Sequence, residues 1–481
     1  MMETSLKQQS LSGIKWSAFE RFGAQGIQFV IGMVLARLLV PSDYGVVGML
    51  AIFMAVSQAF IDSGFSAALI QKQDRTEIDF STAFYFNIVV GLICYGLMFL
   101  LAPCIAAFFS TPILKSLLRV MAVNLFINSL TVVPLAKISI DINFKLQAKA
   151  SIAAIILSGL AGISLAYRGY GAWALVAQSI IHAVVNASLL WYLVRWRPLL
   201  SYSWNSFRGL FKYGSNILFA GLLHTIYDNM STFAIGKFYA AKDLGYYTRG
   251  FQFPSLLSMN LTSILKRVTF PVLAKIQDDD ERLVCVYRNY IKASSIVIFF
   301  LLALLASLAK PLVLFLLTEK WLDVVIYVQV FCYALMFDHI CQINLNLLYV
   351  KGRTNLVLRL EIIKKAISFL ILIISIPLGV FAICFSKVIY TQIAVYINTY
   401  YTGKLFNLGY FKQIKDFLPY FLLAHVTCIP CWLLQGSTNI RPLLILILGG
   451  FVATALYSVS LHYTKDEIFD KYIVTGIKQF L

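Results

Sequence analysis

Apolar residues in this chain gather into long continuous runs and do not alternate with polar ones. Runs of about 20 residues are what a helix needs to cross the hydrocarbon core of a bilayer. With no strand-like alternation to close a barrel, helices are the elements that satisfy the backbone there. The pattern predicts fourteen spans, at 15–37, 44–70, 80–108, 113–135, 147–167, 172–194, 210–236, 245–265, 289–309, 324–349, 357–376, 379–401, 416–435 and 441–462. At about 20 residues each, they leave only short loops and tails. No separate soluble domain fits, so a large catalytic module outside the membrane is excluded.

Composition agrees: 60% of the 481 residues are hydrophobic and 13% are charged, with a mean hydropathy of +0.79. Ordinary soluble domains carry about 25% charged residues, so cytosolic enzymes, disordered chains and secreted disulfide scaffolds are excluded. The eight cysteines lie mostly in apolar runs and read as small core residues. The opening MMETSLKQQSLSGIKWSAFERFG has no compact apolar region before a small-residue site, so no cleaved leader is expected.

The net charge of +18 could suggest nucleic acid, but its placement points to the membrane. Lys and Arg sit singly or in pairs at the ends of apolar runs. One set of loops, with both termini, holds 28 of the 40, and the opposite loops hold 10. By the positive-inside rule both ends are expected to be cytoplasmic.

An internal echo gives the organisation. Arg37 closes the first span and Asp43-Tyr-Gly45 follows; Lys237 closes the seventh and Asp243-Leu-Gly245 follows. A weaker pair relates Gly171-Ala-Trp-Ala174 to Gly379-Val-Phe-Ala382. The similar offsets imply duplication, with six-span bundles at 1–200 and 201–405 and two added spans and a cytoplasmic tail at 406–481. An even repeat unit makes the bundles parallel, an arrangement that encloses a central cavity.

Polar stripes inside the spans are the candidate lining. Residues four apart share a helix face, which groups Gln58, Asp62 and Ser66; Asn124 and Asn128; Gln178, His182 and Asn186; His224, Asp228 and Thr232; and Asp338, Gln342 and Asn346. Interhelical hydrogen bonding is the alternative use of such residues. Ionisable groups at a span centre cost about 2.5–3.5 kcal/mol on insertion scales, so Glu20, Arg21, Asp62, Asp228, Asp338 and Lys387 require a partner or water. Arg21, Lys387, Asn124, Asn128, Gln178, Asn186 and Gln342 are the candidate substrate contacts. Asp62, Asp228, His224 and Asp338 are the candidates for ion coupling, since the pairs His224/Asp228 and Asp338/His339 could pass protons. Lys387 could instead pair with a nearby acid.

Cys428-Ile-Pro-Cys431 with His425 lacks a fourth zinc ligand and a polar surround, so no metal is expected. No phosphate-binding glycine loop is present, which argues against ATP hydrolysis. Asp278-Asp-Asp-Glu281 reads as a solvated charge run.

Several ordered segments resemble the polysaccharide transporters of the multidrug/oligosaccharidyl-lipid/polysaccharide exporter superfamily. They are Leu38-Leu-Val-Pro-Ser-Asp-Tyr-Gly45, Asp62-Ser-Gly-Phe-Ser-Ala-Ala-Leu-Ile-Gln71, Gly169-Tyr-Gly-Ala-Trp173, and Tyr227-Asp-Asn229 through Gly236-Lys237 to Asp243-Leu-Gly-Tyr-Tyr247. The resemblance implies an all-α polytopic fold of about 14 helices, with two six-helix bundles in a V and two C-terminal helices. It implies a flippase for undecaprenyl-diphosphate-linked oligosaccharide in a bacterial cytoplasmic (inner) membrane, driven by a proton or sodium gradient and needing no cofactor. The expected partners are the lipid bilayer, a polysaccharide polymerase and glycosyltransferases. A drug exporter of the same superfamily, a lipid II flippase, and a membrane polymerase or polyprenyl-dependent glycosyltransferase are the competing readings. Short loops weigh against the enzyme.

Overall fold

The computed structural model describes residues 2–62, 64–435, 441–464, 466, 468 and 469; within residues 2–20 it describes the backbone and the Trp16 side chain. The Glu20 side chain and the tail cations Lys465, Lys471 and Lys478 lie outside the described residues. The chain forms two compact units, Met1–Gly245 and Tyr246–Leu481.

The first unit runs through α1 (Met2–Leu38), α2 (Pro41–Asp62), α3 (Phe65–Gln71), α4 (Glu77–Phe108), α5 (Leu114–Met121), α6 (Val123–Ser129), α7 (Val132–Ile140), α8 (Phe144–Tyr167), α9 (Ala172–Val194) and α10 (Trp204–Phe238). α11 (Ala241–Lys275) begins in it and continues into the second. There follow α12 (Asp280–Ser307), α13 (Ala309–Leu316), α14 (Val324–Leu335), α15 (Asp338–Val350), α16 (Thr354–Ser375), α17 (Val380–Phe406), α18 (Tyr410–Leu434) and α19 (Pro442–Tyr463).

Each predicted span coincides with one helical pass. Among the described residues, ten passes are long and apolar enough to cross a membrane. The other four, α1, α10, α11 and α16, have the length but a more polar composition. A helix of span length that is too polar to face lipid all round needs protein or water along one side. The second, fourth and tenth passes are interrupted, between α2 and α3, between α5, α6 and α7, and between α14 and α15.

Local chemistry explains several boundaries. Pro41 opens α2, where a missing amide costs nothing, and Asp43 Oδ2 accepts from the Val40 amide at 3.1 Å. Thr76 and Asp79 form a reciprocal capping box at α4. Asp279 caps α12 by accepting from the Arg282 amide at 3.0 Å.

In the first unit α8 packs between α1 and α9. Its buried face is small, with Ala148, Ala154, Gly159, Gly162 and Ala166, which lets backbones approach closely where dispersion drives association. At one end Phe65, Phe80, Phe84 and Trp196 build an aromatic core. α10 packs against α2, α3 and α4, so the boundary between compact units falls at Gly245, later in the chain than the duplication boundary read from the sequence at 200. In the second unit α18 packs on α12, and α19 on α18 and α13. The added helices are thus built into this unit: Tyr457 Oη donates to the Ile296 carbonyl at 2.9 Å.

Candidate substrate and coupling sites

The polar stripes of the first unit join into a chain. Asn128 Nδ2, on the middle piece of the interrupted pass, donates to Gln58 Oε1 at 2.9 Å. Gln58 Nε2 in turn donates to Asp62 Oδ1 at 2.9 Å. Asp62 ends α2 and is exposed, at the helix terminus where the backbone dipole disfavours a carboxylate. Gly64 follows in the left-handed region, with φ 70°. Its missing side chain lets the α2–α3 break lie against the Gly214 backbone of α10. One turn before Asn128, buried Asn124 donates through Nδ2 to Ser179 Oγ at 2.8 Å. Its Oδ1 has no partner among the described residues.

The remaining candidates of this unit are spread out. Gln178 packs over Gly162 of α8. Asn186 and Arg21 are half-buried on α9 and α1. On α10, His224 Nδ1 and Asp228 Oδ2 are 3.2 Å apart and both exposed, at 68% and 54%. The two sets of carboxylates therefore belong to different helices, α2 and α10, of the same unit.

The two echoed turns of the sequence meet here. A Cβ at Gly45 would strike the carbonyl of Ala241, and one at Gly245 would strike the carbonyl of Pro41. Positions 41 and 45 thus face 245 and 241 reciprocally, the pattern of a contact around a two-fold axis. Only glycine permits that backbone approach. Beside it Gly236 packs on Met49 and Phe109, and Phe53, Phe109 and Phe233 form an edge-to-face cluster.

The second unit gathers opposite charges. Asp338 is the first residue of α15, directly after the interruption. A helix N-terminus favours a carboxylate. The Lys364 and Lys387 ammonium groups act on Asp338 electrostatically, and Lys364, 7% exposed, bonds Glu361 Oε1 at 2.5 Å. The structure therefore brings Lys387 and Asp338, assigned separate roles from sequence, into one group spanning α15, α16 and α17. Gln342 is half-buried one turn beyond Asp338. His339 points elsewhere: its Nε2 is 3.0 Å from Ser295 Oγ and its ring meets Phe299 edge-on, fully buried.

A second charged group escaped the sequence reading. Asp416 on α18, 3% exposed, accepts a two-pronged pair from Arg288 at 2.8 and 2.7 Å, with Lys292 at 3.7 Å. Next to it Asn344, Thr402 and Gln413 form a closed buried network. Arg288 and Lys292 look like interfacial loop cations in sequence. Their spacing of four is the one signal that they share a face, and nothing local points to Asp416. Lys364 looks the same in sequence, although Glu361 stands three residues before it.

The chain matches the family model described as "Polysaccharide biosynthesis protein" over residues 34–326. It is 26% identical over 358 residues to the teichuronic acid biosynthesis protein TuaB of Bacillus subtilis (strain 168), covering 73% of each chain. It is 24% identical over 371 residues to the lipopolysaccharide biosynthesis protein WzxC of Escherichia coli (strain K12), covering 75% of this chain and 74% of that one. Among solved structures, the lipid II flippase MurJ in its inward closed conformation matches with a TM-score of 0.73 and 14% identity, covering 94% of this chain and 99% of that one. An inward-facing multidrug resistance MATE family transporter of the MOP superfamily matches with a TM-score of 0.60 and 15% identity, over 83% and 95%. The fold is the all-helical membrane fold shared by these transporters.

Proposed function

Since the chain belongs to the polysaccharide biosynthesis protein family, we propose that it is a flippase for lipid-linked oligosaccharide. It moves an undecaprenyl-diphosphate-linked repeat unit from the cytoplasmic to the periplasmic leaflet, for O-antigen, capsule or exopolysaccharide. The observation that carries this is the coincidence of that family match with a fold shared with the lipid II flippase MurJ over nearly the whole chain. The reading involves transport and no covalent step. The bias of cations to one set of loops supports cytoplasmic termini in the inner membrane.

Such a substrate combines two phosphates and sugars, which need polar surroundings, with a tail that can stay in lipid. Amides suit sugar hydroxyls, and Asn124, with its free carbonyl oxygen, Asn128, Gln178, Asn186 and Gln342 are the amides assigned to them. Arg21 and Lys387 are the cations assigned to the diphosphate. Asp62 is the first choice for coupling to a proton or sodium gradient, because its partner is a neutral amide and not a fixed cation, which leaves its charge to be met by a bound ion. Asp228 with His224, and Asp338, are the further candidates.

Purified protein in proteoliposomes, with a fluorescent undecaprenyl-diphosphate oligosaccharide on one side, tests the reading. Gradient-dependent transfer between leaflets is expected. Transfer of small drugs without transfer of this lipid would replace the flippase with an exporter.

A further inference from the structure

α11 and α12 enclose an apolar groove of about 520 Å3 that none of the roles above uses. Ile264, Leu265 and Val272 form one wall, and Val286, Tyr290 and Val297 the other. Ile264, Val272 and Val297 remain partly exposed, so the groove opens sideways along its length. Its polar lining is already satisfied in part, since Ser294 Oγ donates to backbone carbonyls of its own helix.

The groove runs towards the turn that joins the two helices, and its cations are placed there. Lys275 lies three residues beyond Val272, and Arg282 four residues before Val286, so each continues the stripe of its own wall. Both are exposed, and neither side chain makes an ion pair or hydrogen bond among the described residues. The acids nearby are otherwise engaged or turned away. Asp280 holds Lys351 at 2.7 Å, Asp279 caps α12, and Glu281 falls on the opposite side of α12 from Val286. Asp278 stands in the turn beyond both helices.

An apolar slot ending in two unpaired cations fits an amphiphile whose head carries two adjacent negative charges. Resting on the flippase reading, we propose that this groove holds the tail of the polyprenyl diphosphate carrier, with Lys275 and Arg282 on its diphosphate. One cation per phosphate favours a diphosphate head over the single phosphate of an ordinary phospholipid. The groove is half-open, so a tail longer than its walls runs on into the bilayer.

The full chain in phosphatidylcholine nanodiscs, exposed to undecaprenyl diphosphate with a photoreactive group on its tail, provides the test. Labelling is expected within 261–272 and 286–298. The double variant K275Q/R282Q should lower labelling about tenfold, the loss of one or two charge-assisted hydrogen bonds, yet leave labelling by uncharged undecaprenol unchanged. V297W, which fills the slot and keeps both cations, should lower both. Equal competition by phosphatidylglycerol would overturn the proposal in favour of a general lipid groove. Labelling elsewhere in the chain, insensitive to these variants, would overturn the groove and leave the flippase reading standing. No labelling anywhere would overturn both. Melting curves of both variants matching the parent ensure that a loss reflects the site.

Discussion

In the first unit the membrane carboxylates Asp62 and Asp228 are exposed and bonded to a glutamine amide and an imidazole. In the second, Asp338 and Asp416 sit among lysine and arginine. The difference separates two uses of charge. A carboxylate buried in a membrane protein needs a countercharge, and removing one partner strands the other. A carboxylate with no countercharge needs water instead, and where water reaches it the group stays free to take up and release an ion. The first unit therefore holds the better coupling candidates, and the second holds charges that fasten α12 to α18 and a carboxylate, Asp338, in the field of two lysines.

The largest effect belongs to the place where the two echoed turns meet. Gly45→Val drives a side chain into the Ala241 carbonyl, a collision of the rare class costing above about 4 kcal/mol. Surface polysaccharide should be lost, whereas Gly96→Ala, which meets open space, should leave it intact. Next, Asp416→Ala should lower unfolding stability by about 2–3 kcal/mol, below the full cost of breaking a buried pair because Arg288 and Lys292 keep some exposure. Thermal melting in detergent measures it, and an unchanged midpoint would erase the contrast between units. Asp338→Asn should also destabilise, and adding Lys387→Gln should restore part of the loss. A coupling of about 1–2 kcal/mol in that double-mutant cycle would mark a pair, and simple additivity would return Lys387 to the substrate alone. Smallest in stability is Asp228→Asn, at under about 0.5 kcal/mol for so exposed a pair. Any loss of export by that variant therefore reports function.

Long-range patterns were legible in the sequence, and close partnerships were not. Apolar runs located the ten helical passes that are apolar enough to span, because span length is set by bilayer thickness. The other four predicted spans fall on long helices of more polar composition. The Asp-x-Gly echo was legible as a repeat, but not the contact between its two turns, where Gly45 and Gly245 permit a close backbone approach. The stripe rule found Gln58, Asp62 and Asn128, which form one hydrogen-bonded chain. It could not tell that His339 turns to Ser295, or that Asp338 answers Lys364 and Lys387. Those pairings join different helices, and periodicity carries no information about which faces meet. Asp416 gives no such signal, because one acid beside several cations at a span end looks like any interfacial residue. The pairing of α10 with α2, α3 and α4 was equally hidden, since the duplication suggests a boundary before α10 and packing places one after it.

The most direct measurement is the pool of lipid-linked repeat units in a strain lacking this protein, separated by leaflet. The flippase account predicts accumulation of the diphosphate-linked unit on the cytoplasmic side with loss of surface polysaccharide, reversed by the parent chain. Repeat units that reach the periplasmic leaflet and remain there unpolymerised would contradict it.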